Sequence, residues 1–170
     1  MSTLTSGALV SVRETVVQAL LAAVTTGAAA FTSATSLAVL LRRAWDLPVT
    51  TDECPFVNLA EGNEIEETLW AGLRTYVLTV TVEGIVVAPA NTDDPLGLVL
   101  ANQDAGALRD YIISAILADV TLGGVAMDVR QAAESAPPTL MIDGERPTAG
   151  LVRDFEVWFS TTETSRFTPA

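Results

Sequence analysis

Polar residues at Ser11, Glu14, Thr15 and Gln18 recur at helical spacing and leave Leu9, Val12, Val16, Leu20 and Val24 on the opposite side. This pattern predicts an amphipathic helix over about residues 8–24, laid on a core. Thr25-Thr26-Gly27 reads as its stop, with Gly27 as the cap residue. The apolar run from Leu37 to Ala44 is too short to separate strand from helix by periodicity, and is read as a strand. A loop at Asp46–Glu53 follows, then a short strand over Pro55–Ala60 with proline at its first position. Glu61-Gly62-Asn63-Glu64-Ile65-Glu66-Glu67 places four carboxylates in a seven-residue turn.

The clearest alternation of the first half puts Tyr76, Leu78, Val80 and Val82 on one face and Thr75, Thr79, Thr81 and Glu83 on the other. It predicts a strand, with Gly84 as a candidate bulge before Ile85-Val86-Val87. Residues 88–95 are rich in turn formers. A second helix is predicted from Asp104, whose carboxylate suits an N-cap, to about Asp119, with Leu108, Ile112, Ala115 and Ile116 on its apolar side. Gly123-Gly124 permits a sharp return. In the strand that follows, Val125, Met127 and Val129 are expected to point inward. Ala132 to Pro147 reads as a loop or loose hairpin. The last strand sets Phe155, Val157 and Phe159 against Asp154, Glu156 and Ser160, with Trp158 among the polar residues. A tryptophan there is covered either by a neighbouring subunit or by a second layer of its own chain. Residues from about 162 onward are expected to be a mobile tail. The order of elements predicts one α+β domain over residues 1–170, a mainly antiparallel sheet with two helices packed on one face.

Composition narrows the chemistry. The chain has 21 acidic and 9 basic residues, a formal net charge of -12, no histidine, and arginine as its only basic residue. Without histidine, the usual general base near neutral pH and the commonest metal ligand are missing. No catalytic residue, cofactor site or metal site is assigned. The single cysteine, Cys54, follows Asp52 and Glu53, which raise rather than lower a thiol pKa, so it reads as a small semi-buried apolar residue. The negative balance opposes binding to a nucleic-acid backbone and to anionic membrane surfaces. The stretch between Glu14 and Arg42 carries no charge and is long enough to span a bilayer. Its threonines and serines instead suggest a helix, a small-residue turn and a strand, and no membrane partner is expected.

The order of these elements resembles the tail terminator family of long-tailed bacteriophages, also called minor tail protein U-like or tail-completion proteins. The likeness rests on the amphipathic first helix, the strand Pro55-Phe56-Val57-Asn58-Leu59 after an acidic loop, and the strand from Arg74 to Val82. It continues through the helix Leu108–Leu117, its closing Ala118-Asp119-Val120-Thr121-Leu122-Gly123-Gly124, and the strand Phe155–Phe159. It covers most of residues 8–162. The resemblance implies a non-enzymatic virion protein, assembled in the host cytoplasm, that forms a homo-hexameric ring. Such a ring caps the head-proximal end of the tail tube, ends tube polymerisation and joins tail to head. The implied partners are other copies of the chain, the tail tube protein, the head–tail connector protein and DNA that passes without specific binding. A negative lumen would keep phosphates from adhering. Glu61, Glu64, Glu66 and Glu67 are the candidate channel-facing residues because they cluster, and Trp158 is the candidate subunit contact.

Other readings stay open at this point. The same virion setting would suit a connector completion protein or a tube subunit. A small metal-dependent hydrolase would use carboxylates such as Asp93, Asp94 and Asp104, which show no ligand spacing. A non-viral homo-oligomeric domain is the fourth.

Overall fold

The computed structural model describes residues 11–44, 46–70, 72–89, 96–132, 142–143, 146–162 and 165–169. Helix α1 (Val12–Thr35) opens on Ser11, whose hydroxyl accepts the Glu14 N–H at 3.1 Å, and closes on Ser36 in the left-handed region at φ 64°. The predicted stop at Thr25-Thr26-Gly27 is corrected, because the helix runs through it. The hydroxyls of Thr25, Thr26, Thr32, Ser33 and Thr35 each donate to the carbonyl four residues back, so the polar side chains do not interrupt the helix. Gly27 is buried and caps nothing. A Cβ there would stand 2.7 Å from Ile112 Cα and 2.8 Å from the Tyr111 carbonyl oxygen. Glycine is therefore what lets α1 lie against helix α2 (Leu96–Leu117). One turn further on, Phe31 meets the Tyr111 ring edge-on at 6.4 Å.

Helix α2 begins at Leu96 instead of Asp104, which sits half-buried inside it. Gly97, Ala101, Ala105, Leu108, Ile112 and Ile116 form its buried stripe. Small residues in the first half of that stripe weaken the hydrophobic signal, which is why the sequence pattern shows only its second half. The return is sharp, as expected. Asp119 accepts from the Thr121 and Gly123 amides at 2.9 and 2.7 Å, and Gly123 and Gly124 have φ of 74° and 86°.

Among the described residues the strands are β1 (Leu40–Arg43), β2 (Val49–Thr50), β3 (Phe56–Trp70), β4 (Leu73–Val87), β5 (Asp128–Gln131), β6 (Ile142–Asp143), β7 (Thr148–Thr162) and β8 (Ser165–Pro169). The main sheet has the order β1-β3-β4-β7-β5, with β8 also beside β7. The α+β class holds, but the sheet is mixed. Strand β1 joins β3 in parallel, and β2 pairs with β6 in parallel as a separate ribbon. Parallel neighbours need a crossover, and the stretch that holds β2 supplies it. Strand β8 pairs with β7 at Thr162↔Ser165, so a strand stands where a mobile tail is expected.

Both helices rest on one face of this sheet. Val16, Val17, Leu20, Val24 and Phe31 of α1 join Leu108, Ile112 and Ile116 of α2 in a single core. The sheet contributes Val57, Leu59, Tyr76, Leu78, Val80, Val82, Phe155, Val157 and Phe159 to it. The predicted inward faces of β4 and β7 are therefore correct. Met127 is not inward, being 57% exposed, because the regular part of β5 starts only at Asp128. Gly84 is not a bulge: it pairs in register with Val57 and Leu151, and a Cβ there would come within 2.7 Å of the Phe56 carbonyl oxygen. The irregularities fall on β3 instead. Asp93, Asp94 and most of the predicted loops at 88–95 and 132–147 lie outside the described residues.

By length and composition α1 is apolar enough to cross a bilayer, while its Val12–Phe31 stripe is buried in the core. Gly27→Ala tests how tightly that core is closed. Alanine is the better helix former by about 1 kcal/mol. The clash with α2 backbone is expected to outweigh this and lower stability by about 1–3 kcal/mol, read as a lower urea midpoint. An unchanged or higher midpoint would show that the helices have room to spare.

Candidate functional site

The carboxylate-rich stretch 61–67 is a bulged strand, which corrects the predicted turn. Glu61 pairs with Val80 and Glu64 with Leu78, so Gly62 and Asn63 together oppose Thr79. A bulge of this kind resets the pleat. It turns both Glu61 and Glu64 to the face on which the helices lie. A second irregularity follows between Glu66 and Thr68.

Two other elements bring cations to that place. The first turn of α1 supplies Arg13, which reaches Glu61 at 2.7 Å and Glu64 at 3.2 Å. The end of β1 supplies Arg43, whose Nη1 and Nη2 donate to the two Glu14 oxygens at 2.6 and 2.8 Å. Its Nε donates to Glu61 at 2.6 Å. Gln18 adds a bond to Glu14 at 2.7 Å. Three carboxylates and two guanidiniums thus tie α1, β1 and β3 together. The hydrogen bonds from Arg43, then that from Gln18, hold the Glu14 carboxyl down at about 2, and the same pairing raises Arg43 above its ordinary value. A cavity of about 70 Å³ adjoins this cluster, lined by Ser11, Arg13, Glu64, Tyr76, Phe159 and Thr161.

The four candidate channel carboxylates are therefore not gathered on one solvent-facing wall. Glu61 and Glu64 are largely covered, with side chains 14% and 19% exposed, and are paired with arginine. Glu66 is exposed and pairs with Arg74 at 3.1 Å, and Glu67 is exposed. Carboxylates so paired add little to a repulsive surface. The signal for this cluster is present in the sequence: Arg13-Glu14 and Arg42-Arg43 bracket the uncharged stretch, and Gly62-Asn63 separates Glu61 from Glu64. What is missing there is the fold that brings these segments together.

Trp158 lies on the other face of the sheet, in the cross-strand row Ile65, Val77, Trp158 and Asp128. Its ring is half-buried, with the Arg130 guanidinium 5.9 Å from the centroid, and its indole nitrogen is enclosed without an acceptor. Ile65 is 56% exposed, and Met127 lies beside Ser160, whose hydroxyl is 2.7 Å from its sulfur. The chain's own β5 covers part of the tryptophan, Val77 in the same row is buried, and Ile65 stays open. Further along the same face are polar residues that pattern reading did not single out. Asn58 donates to buried Glu83 at 3.1 Å, and Thr81 to Asp154 at 2.6 Å.

Among the described residues, no three His, Cys, Asp or Glu side chains come together as a metal site. Cys54 is half-buried, and burial followed by the nearby Glu53 pushes its thiol up to about 11. No protein-family model matches the sequence, and no curated protein does either.

Two measurements follow from these environments. Glu14 has its pKa lowered on folding from 4.5 to about 2, so its stabilisation is full above the unfolded value and fades as pH falls from about 4.5 towards 2. Glu14→Gln should lie below the wild type in stability at neutral pH and converge with it in acid. Because the Glu14 side chain is 35% exposed, the gap should be about 1 kcal/mol or less. A gap that does not change with pH would remove the linkage. Separately, Cys54 should carry on the order of a hundredfold less thiolate at neutral pH than an ordinary cysteine. Iodoacetamide should label it correspondingly slowly, and labelling at the rate of free cysteine would contradict the environment described.

Proposed function

We propose that this chain is a non-enzymatic structural subunit that assembles with copies of itself, most specifically a ring of the tail-terminator kind at the head-proximal end of a bacteriophage tail tube. The observation that supports self-assembly is the way the sheet is covered. Two helices close one face, while on the other Ile65 is exposed and Trp158 only half-buried, with Val77 buried between them. An exposed isoleucine near a half-buried tryptophan whose indole nitrogen lacks an acceptor is what a protein–protein contact would complete. The tail-terminator identity rests on the resemblance in element order, and the observed helix–strands–helix–strands order agrees with it.

In this reading the partners are neighbouring copies, the tail tube protein, the connector and passing DNA. The net charge of -12 supports the last of these, since a strongly negative subunit repels phosphate. The structure shifts attention away from Glu61 and Glu64 as the source of that repulsion, because arginines neutralise them.

Light scattering of the purified protein, combined with negative-stain microscopy, tests the proposal. A single closed ring with a central hole is expected. Extended tubes would favour a tube subunit, and a compact monomer at high concentration would overturn the self-assembly reading.

A further inference from the structure

The cavity of about 70 Å³ beside the first turn of α1 contains a buried hydroxyl, that of Thr161. The paired central strands place it there. Tyr76 lies opposite Phe159, their rings stacked at 5.5 Å and 23°, and Arg74 lies opposite Thr161. Opposite residues of an antiparallel pair share a face, and two-residue steps keep it, so all four stand on the side that the helices cover. Thr161 is 1% exposed, and its Oγ1 is enclosed with no hydrogen-bond partner among the described residues. The Nε of Arg74, its neighbour in register, is enclosed in the same way.

A buried hydroxyl without a partner is costly, and such groups are met by protein or by ordered water. Charge and size decide which partner fits here. The cluster beside the cavity carries two guanidiniums, Arg13 and Arg43, against three carboxylates, Glu14, Glu61 and Glu64. A small anion would therefore enter a region of net negative charge. A cation would meet the Arg13 guanidinium, which lines the cavity and already holds Glu64 at 3.2 Å. Among the described residues no three carboxylate, cysteine or histidine side chains converge to hold a metal. A neutral molecule that both donates and accepts suits every polar wall: it donates to Glu64, accepts from Arg13, and does either with Thr161. One water needs about 10–15 Å³ of such a space, so the cavity has room for more than one.

We propose that this cavity is a hydration site, in which ordered water bonds to Thr161 Oγ1 and continues to the Arg13–Glu64 pair. The water gives the buried hydroxyl its partner. It also joins β7 to the clasp, so that a fourth element is added to the three that the arginines tie together. The site is independent of the self-assembly reading, because Thr161 stands on the helix-covered face and Trp158 on the other.

Crystallography of the full chain and urea unfolding of Thr161→Val test it. Ordered water at hydrogen-bonding distance from Thr161 Oγ1, extending to Arg13 or Glu64, is expected. A dry cavity, or a buffer ion seated in it, would overturn the site. Valine keeps the shape of threonine and removes its hydroxyl. With water bound, loss of that hydrogen bond should lower the urea midpoint by about 0.5 M. An orphan hydroxyl in a dry cavity predicts the reverse, so an unchanged or raised midpoint would also count against the site. The melting temperature in inorganic phosphate or ammonium chloride should match that in sodium chloride at equal ionic strength. A saturable rise that Thr161→Val abolishes would show that the cavity takes an ion instead. Should the variant fail to fold, the crystal structure and the salt series of the unaltered chain still decide the matter.

Discussion

The fold depends on how closely its two helices approach. Gly27 removes the one side chain that would separate α1 from the backbone of α2 at Ile112, and the helices form a continuous lid because of it. Phe31 against Tyr111 extends that contact, while Leu20 and Val24 descend to the sheet. A wider spacing would leave gaps beneath the lid, and gaps in a close-packed interior cost stability. Everything else is placed relative to this lid. The N-terminal turn of α1 meets the bulge on β3, and its C-terminal half lies beside β1.

Charge in this protein is less uniform than its net value suggests. A surplus of acidic residues is spread along the chain, yet the densest carboxylate stretch is where arginines are recruited. Arg13 and Arg43 bind Glu14, Glu61 and Glu64 across three elements, so the stretch acts as a clasp on α1. Glu14 shows the consequence, since its carboxyl is stabilised in the charged form by Arg43 and Gln18. The two faces of the sheet also differ in kind: one is apolar and sealed by helices, and the other mixes buried Asn58–Glu83 and Thr81–Asp154 pairs with half-buried Trp158 and exposed Ile65.

Much of the fold was legible along the chain. Alternation in Tyr76–Val82, broken at Val77, and in Phe155–Phe159, with Trp158 on the polar side, identified the two central strands and their inward faces, because the period of a strand is a local property. The apolar spacing of Val12–Val24 and Leu108–Ile116 located parts of both helices. Their full lengths were not legible. Thr25, Thr26 and Gly27 read locally as a stop, and Gly97, Ala101 and Ala105 give little hydrophobic signal. The threonines bond to carbonyls four residues back, and Gly27 is accounted for only by α2, far along the chain.

By itself, then, the sequence determined an α+β domain without histidine chemistry, strongly acidic, with two long alternating strands and two apolar helical segments. Only tertiary structure decided that Gly27 is a packing residue, that Glu61–Glu67 is a bulged strand bound by arginines, and that β1 enters the sheet in parallel. It also decided that Trp158 is half-covered by β5 and Arg130. The reason is physical. Periodicity and turn chemistry act over a few residues, whereas close helix approach, strand neighbours and ion pairs are set by contacts between segments that the chain itself holds apart.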